Sequence, residues 1–294
     1  MPFILKYRHG CKTKPKGSLL EPFALFAAAF FVLLFIQGGS RADEALLEHE
    51  KAWTGDFDGM VERRKIRVLV PYSKTFYFLD GATQQGISYQ GMQIFEKWLN
   101  KELGTGHLKV NIIMIPTARD ELFSGLVDGR GDIALGNLTI TPERLKIVDF
   151  SDPFAKGVRE IVVAGQNAPA LESLDDLVGQ EVIVRPSSSY YGSLKLLNEQ
   201  FSKSRKKTVK LVPADEYLED EDLLEMANAG LVTLLVVDEH KAVVWEPIFQ
   251  NVKLYPDIVV RTGGESAWAF RKNSPKLKEV INRFVAGHKQ GTLL

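Results

Sequence analysis

The sequence predicts an α/β protein of two lobes, each a mostly parallel sheet flanked by helices, joined by two crossing strands. Three observations predict this. From Ile66 onward, short β-branched runs alternate with segments of helical period. The alternation makes one strand–helix–strand–helix–strand unit up to the strand at 132–135, then starts again at Glu181. Extended segments with no helix of their own, at 160–164 and 258–261, lie where the chain would cross from one unit to the other and back.

The elements follow in order. Residues 66–70 are the first strand. The helix over 90–103 carries apolar residues at 92, 94, 95, 98, 99 and 103, which is helical spacing. A β-branched strand at 110–115 precedes a helix over 119–128, with Leu122, Phe123, Leu126 and Val127 on one side and Gly129 and Gly131 to stop it. The strand at 132–135 places Asn137 and Thr139 just past its end. Thr141 then caps a helix whose first turn holds Pro142, Glu143 and Arg144. The second unit reads strand 181–185, helix 189–201, strand 209–212, helix 217–229 ended by Gly230, and strand 231–237. A strand at 267–271 and a helix over 274–288, with Pro275 in its first turn, form the tail.

The first 42 residues are of another kind. Lys6, Arg8, Lys12, Lys14 and Lys16 precede an unbroken apolar run over 23–36, and Ser40-Arg41-Ala42 fits the small-x-small pattern of leader cleavage. The segment is expected to be a secretory signal cleaved after Ala42, or an inner-membrane anchor retained through residues 19–36. Cys11 is the single cysteine and lies in this leader, so the exported part has no disulfide and no thiol chemistry. Residues 43–62 are a polar, partly helical lead-in containing Trp53. The first lobe spans 63–158 and is completed by 262–294; the second spans 159–261. Lys plus Arg and Asp plus Glu each number 37, so no global field recruits nucleic acid. The basic run 203–210 and the acidic run 215–225 read as solvated faces.

Three loops carry chemistry. Asn137, Thr139 and Arg144 combine a strand end, a hydroxyl, free N–H groups at a helix start and a guanidinium fork, which together make a carboxylate receptor. After the strand at 181–185 come Arg185, Ser188 and Ser189, a second anion-friendly place in which Ser189 also reads as the cap of the next helix. Asp238 ends a very apolar strand, where a carboxylate needs either a backbone cap or a cationic ligand group. Tyr72 and Phe76 follow the first strand and would stack on the apolar part of a ligand or pack at the hinge; Trp268 reads as core. No catalytic residue, metal or cofactor is expected. The five histidines are scattered, and no HExxH, GxSxG, Walker or GxGxxG pattern occurs.

The segment GDIALGNLTITPERLKIVDFSDPF, over 131–154, resembles the signature of the family 3 extracellular solute-binding proteins, with its TxxxxR…FSxP pattern. The resemblance covers the chain from about residue 65. It implies the type II periplasmic-binding-protein fold, two lobes closing on a ligand by a two-strand hinge. It also implies that Thr139 and Arg144 hold the α-carboxylate of an amino acid or peptide-like zwitterion with a backbone N–H of Asn137. Asp238 would hold the α-amino group, and Arg185 with Ser189 would form the anion-binding loop of the second lobe. The chain departs from the family in having Pro71 and Tyr72 after the first strand and Gly91-Met-Gln93-Ile-Phe95 at the first helix. ERRKIRVLVPYSKTFYF and DEDLLEMANAGLVTLLVVDEHKA are similar to a subgroup, the solute-binding modules of membrane-bound lytic murein transglycosylase F-like proteins. This chain ends at Leu294, before a catalytic domain of that kind would begin, and Glu265-Ser266 is not read as catalytic. The resemblance thus implies a non-enzymatic, monomeric periplasmic receptor partnered by an inner-membrane permease or, in the second case, a sensing module partnered by a peptidoglycan-cleaving domain.

Overall fold

The apolar run after Lys65 forms β1 (Lys65–Val70), whose last five residues are buried, as a strand covered on both faces must be. A computed structural model describes residues 52–288; the expected leader over 1–42, Cys11 and the start of the lead-in lie outside them. Helix α1 (Phe57–Glu62) begins at Asp56, whose carboxylate accepts from Phe57 N. After β1 come a small hairpin, β2 (Phe78–Asp80) and β3 (Thr83–Gln85), and the long helix α2 (Ile87–Glu102). Strand β4 (Asn111–Pro116), helix α3 (Leu122–Val127), β5 (Ile133–Thr139), α4 (Pro142–Leu145) and the two-residue β6 (Asp149–Phe150) complete the first unit. The second unit contains β8 (Glu181–Val184), α5 (Ser189–Lys203), β9 (Lys210–Pro213), α6 (Asp220–Asn228), β10 (Leu234–Asp238) and α7 (Glu239–Trp245). Helix α8 (Pro275–Gly287) closes the chain.

Two long strands join the units: β7 (Ala155–Ala164) and β11 (Lys253–Phe270). The segments expected separately at 258–261 and 267–271 are both parts of β11. The resulting sheet runs β4-β1-β5-β11-β7-β10-β8-β9, with β6 paired to β11. Strand β1 is parallel to β4 and β5, and β8 is parallel to β9 and β10. The middle is antiparallel, through β5–β11, β11–β7 and β7–β10. Pairing between β7 and β11 slips in register repeatedly from Tyr255 to Ser266, so these two strands are irregular where they cross.

The cores divide along the same line. Two hydrophobic clusters draw on β1, β5, α2, α3 and α8, with Phe95 and Phe284 packed edge to face at 5.0 Å. Two others draw only on residues between Ile161 and Val260. Between them lies a seam of polar side chains.

Candidate ligand-binding cleft

Strand β5 is buried for most of its length because it sits between β1 and β11. Asn137 and Thr139 therefore lie within the strand rather than past its end, since pairing with β11 continues to Thr139 opposite Ser266. Asn137 has a positive φ of 54°, a conformation that asparagine tolerates better than most residues. Thr141 caps α4 as expected, its Oγ1 accepting from Arg144 N at 3.3 Å. The turn this fixes swings the Arg144 guanidinium back over the strand end.

Across the seam, Ser188 and not Ser189 is the N-cap of α5, with its Oγ accepting from Tyr191 N at 3.2 Å. Ser189 is thereby released to face the first unit, and its Oγ lies 3.3 Å from Thr139 Oγ1. Asp238 ends β10 fully buried and makes no side-chain cap to α7.

These loops converge on one small cavity of about 20 Å³. Asn137, Thr139 and Arg144 line it from one side; Arg185, Ser188, Ser189 and Asp238 line it from the other. Phe76 lines an adjacent, larger cavity instead. Tyr72, 56% exposed, lines neither. Three residues that sequence reading did not single out share the small cavity: Arg119, Tyr190 and Lys241. Lys241 had a legible signal, since three residues past Asp238 is one helical turn.

The ionic network explains the burial of so many charges. Arg119 makes a two-on-two contact with Glu219, Nε to Oε1 at 2.7 Å, and donates from Nη1 to Gly136 O at 2.9 Å. Arg185 donates to Asp220 Oδ1 at 2.5 Å and to Leu218 O, so its guanidinium is held within the second unit although it lines the cavity. Lys241 Nζ lies 2.6 Å from Asp220 Oδ2, 3.2 Å from Tyr190 OH and 3.3 Å from Asp238 Oδ2. Burial alone would push Asp220 up; Lys241 and Arg185 outweigh it and hold the carboxyl well below its ordinary range. Glu219, Asp220 and Glu221 are all buried, so this part of the acidic run is not a solvated face. It was misjudged because its counter-charges come from distant parts of the chain.

Arg144 and Asp238, both lining the cavity, are among the groups left short of partners. Arg144 donates to Thr139 O at 2.8 Å and to Ser187 O at 2.9 Å, both neutral carbonyls, and it makes no ion pair with any described carboxylate. Burial, then the Arg119 and Arg261 charges, push its guanidinium down to about 10. Asp238 accepts from Asn137 Nδ2 at 2.9 Å on Oδ2, while its Oδ1 is buried with no hydrogen-bond partner. A cation lacking an anion and a carboxylate oxygen lacking a donor, on either side of one cavity, suit a ligand bearing both charges.

The chain resembles known proteins in sequence and in fold. The model for bacterial extracellular solute-binding proteins, family 3, matches residues 68–293. A membrane-bound lytic murein transglycosylase F of Desulfosudis oleivorans is 27% identical over 224 residues, covering 75% of this chain and 44% of that protein. The chain thus spans less than half the length of this relative. The L-cystine-binding protein TcyJ of Escherichia coli K12 is 28% identical over 194 residues, 64% of this chain and 66% of that one. Among solved structures, an ancestral arginine-binding protein bound to arginine aligns with a TM-score of 0.62 and 25% identity, over 79% of this chain and 95% of that one. Holo ArgBP from T. maritima shares the fold, with a TM-score of 0.61 and 21% identity over 79% and 93% of the two chains.

Proposed function

The chain belongs to the bacterial extracellular solute-binding proteins, family 3, and on that premise we propose that it captures an amino acid or small amino-acid-like ligand in the cleft between its two units. The observation that carries the proposal is the pairing of Arg144, which has no carboxylate partner among the described residues, with the unpartnered Oδ1 of Asp238. Arg144, Thr139 and Ser189 hold the ligand carboxylate; Asp238 holds the ammonium. Arg185 and Ser188 build the loop that presents Ser189, and Phe76 meets the ligand from the neighbouring cavity.

The lobes in this reading are 63–158 with 262–294, and 159–261. The small cavity has room for about one water, so the ligand enters by parting the lobes. The hinge is the irregular crossing of β7 and β11, where Gly157 and Gly263 both have positive φ, 68° and 71°. The protein works in the periplasm as a monomer that hands its ligand to an inner-membrane permease.

A thermal-shift panel tests the ligand class. An α-amino acid that stabilises the protein should lose that effect when its carboxylate is esterified, and again when its amine is acetylated. Stabilisation surviving either change would remove Arg144 or Asp238 from its role.

A second reading rests on the transglycosylase F relative: the same cleft would sense a ligand for a peptidoglycan-cleaving domain. Cell fractionation separates the two. A soluble periplasmic protein fits transport, and retention in the membrane fits a tethered sensor.

A further inference from the structure

The polar cavity adjoins a second one of about 320 Å³, and the two share Asn137 and Lys241 in their walls. That volume lies within the ~300–1,000 Å³ typical of ligand pockets. One wall comprises Phe76, Met92, Trp268 and Phe284; the facing wall, from α7, comprises Val244 and Trp245. The first wall is firmly backed, because Trp268 and Phe284 pack at 5.6 Å and both pack on Phe95.

Charge in this cavity is one-sided. No described residue lining it is Asp or Glu, and its titratable members are His240, Lys241 and His288. Lys241 stands at the junction of the two cavities with its Nζ 5.6 Å from the Phe76 ring centroid. Asp220, the carboxylate that takes the Lys241 ammonium, is shared with Arg185. A cationic side chain entering here would lose part of its hydration, find no carboxylate in the lining and lie beside another ammonium. An apolar side chain would meet aromatic and aliphatic surface on both sides.

We propose that this cavity receives the ligand's side chain and selects a large apolar one, aromatic or branched aliphatic, and that Lys241 enforces the rejection of cationic side chains. The inference rests on the clamp formed by Arg144 and Asp238 and extends it from the ligand's backbone to its side chain.

Calorimetric titration of the protein with L-phenylalanine, L-leucine, L-arginine and L-lysine tests it. Phenylalanine or leucine should bind tighter than arginine or lysine by on the order of a hundredfold. Val244→Glu places a carboxylate in the wall at a position 62% exposed, where folding tolerates it, and should narrow that ratio. An unchanged ratio in this variant would overturn the inference. Arginine or lysine binding as tightly as phenylalanine, with Arg144→Ala abolishing it, would also overturn the inference and leave the clamp standing. Phenylalanine binding that Arg144→Ala does not affect would overturn the clamp. Failure of all four to bind would overturn both.

Discussion

Arg119 and Glu219, one hundred residues apart in the chain, meet two-on-two across the cleft with both side chains buried. Arg119 follows the end of β4 and lines the polar cavity, and Glu219 stands directly ahead of α6, so the pair fastens the two units beside that cavity. Burial would lower the Arg119 pKa, but the Glu219 carboxylate outweighs burial and raises it.

Breaking this pair from one side should be severe. Arg119→Met leaves Glu219 buried without its partner, a loss of about 3–5 kcal/mol by urea denaturation. Arg119→Met combined with Glu219→Leu should recover most of that stability, because both desolvated charges are gone. A double variant no more stable than the single one would contradict this account.

Asp220 gives a pH signature. Its folded carboxyl is held well below the ordinary value of about 3.9, so it contributes stability above that pH and loses it as pH falls further. Asp220→Asn removes the counter-charge of Arg185 and Lys241. The variant should be less stable than the parent by about 3–5 kcal/mol at pH 7. Melting curves across pH should show the gap shrinking below about pH 4. A gap independent of pH would assign the loss to shape rather than charge.

Gly86 fixes the turn that presents Phe76. It has φ 109°, and a Cβ there would lie 2.4 Å from Phe76 O. The turn is tied by Ile87 N to Thr75 O at 3.1 Å and by Ser88 N to Phe76 O at 2.9 Å. Gly86→Ala should cost about 1–3 kcal/mol and weaken ligand binding as Phe76 shifts. Unaltered melting and affinity together would show that the turn is looser than this geometry implies.

Closure should be visible in solution. Small-angle scattering is expected to show a smaller radius of gyration when ligand saturates the protein, since closure moves the lobes about the β7–β11 crossing. An unchanged radius at saturation would argue against a hinge.

Most of the element order was legible because strand and helix periods are local properties. β1, α2, β4 and α8 all fall within a few residues of their expected bounds. What was not legible depends on distant partners. The acidic run looks solvated in isolation because nothing near it in sequence reveals that Asp220 faces Arg185 and Lys241, or that Glu221 accepts from Ser73 Oγ at 2.5 Å. Three consecutive serines offer three possible caps, and only the path of the backbone assigns that role to Ser188. Among the early aromatics, the turn at Gly86 holds Phe76 against a cavity while Tyr72 is exposed, which periodicity does not distinguish. Arg119 carried a legible signal: like Arg185, it is a cation shortly past the carboxyl end of a parallel strand.

The claim at the centre is that Arg144 is the anion partner of the ligand. Calorimetric titration of the parent and Arg144→Ala proteins with a stabilising amino acid measures it directly. Truncating one side of a buried charge pair should weaken binding by about 2–5 kcal/mol, with the fold unchanged by circular dichroism. Equal affinities in the two proteins would contradict it.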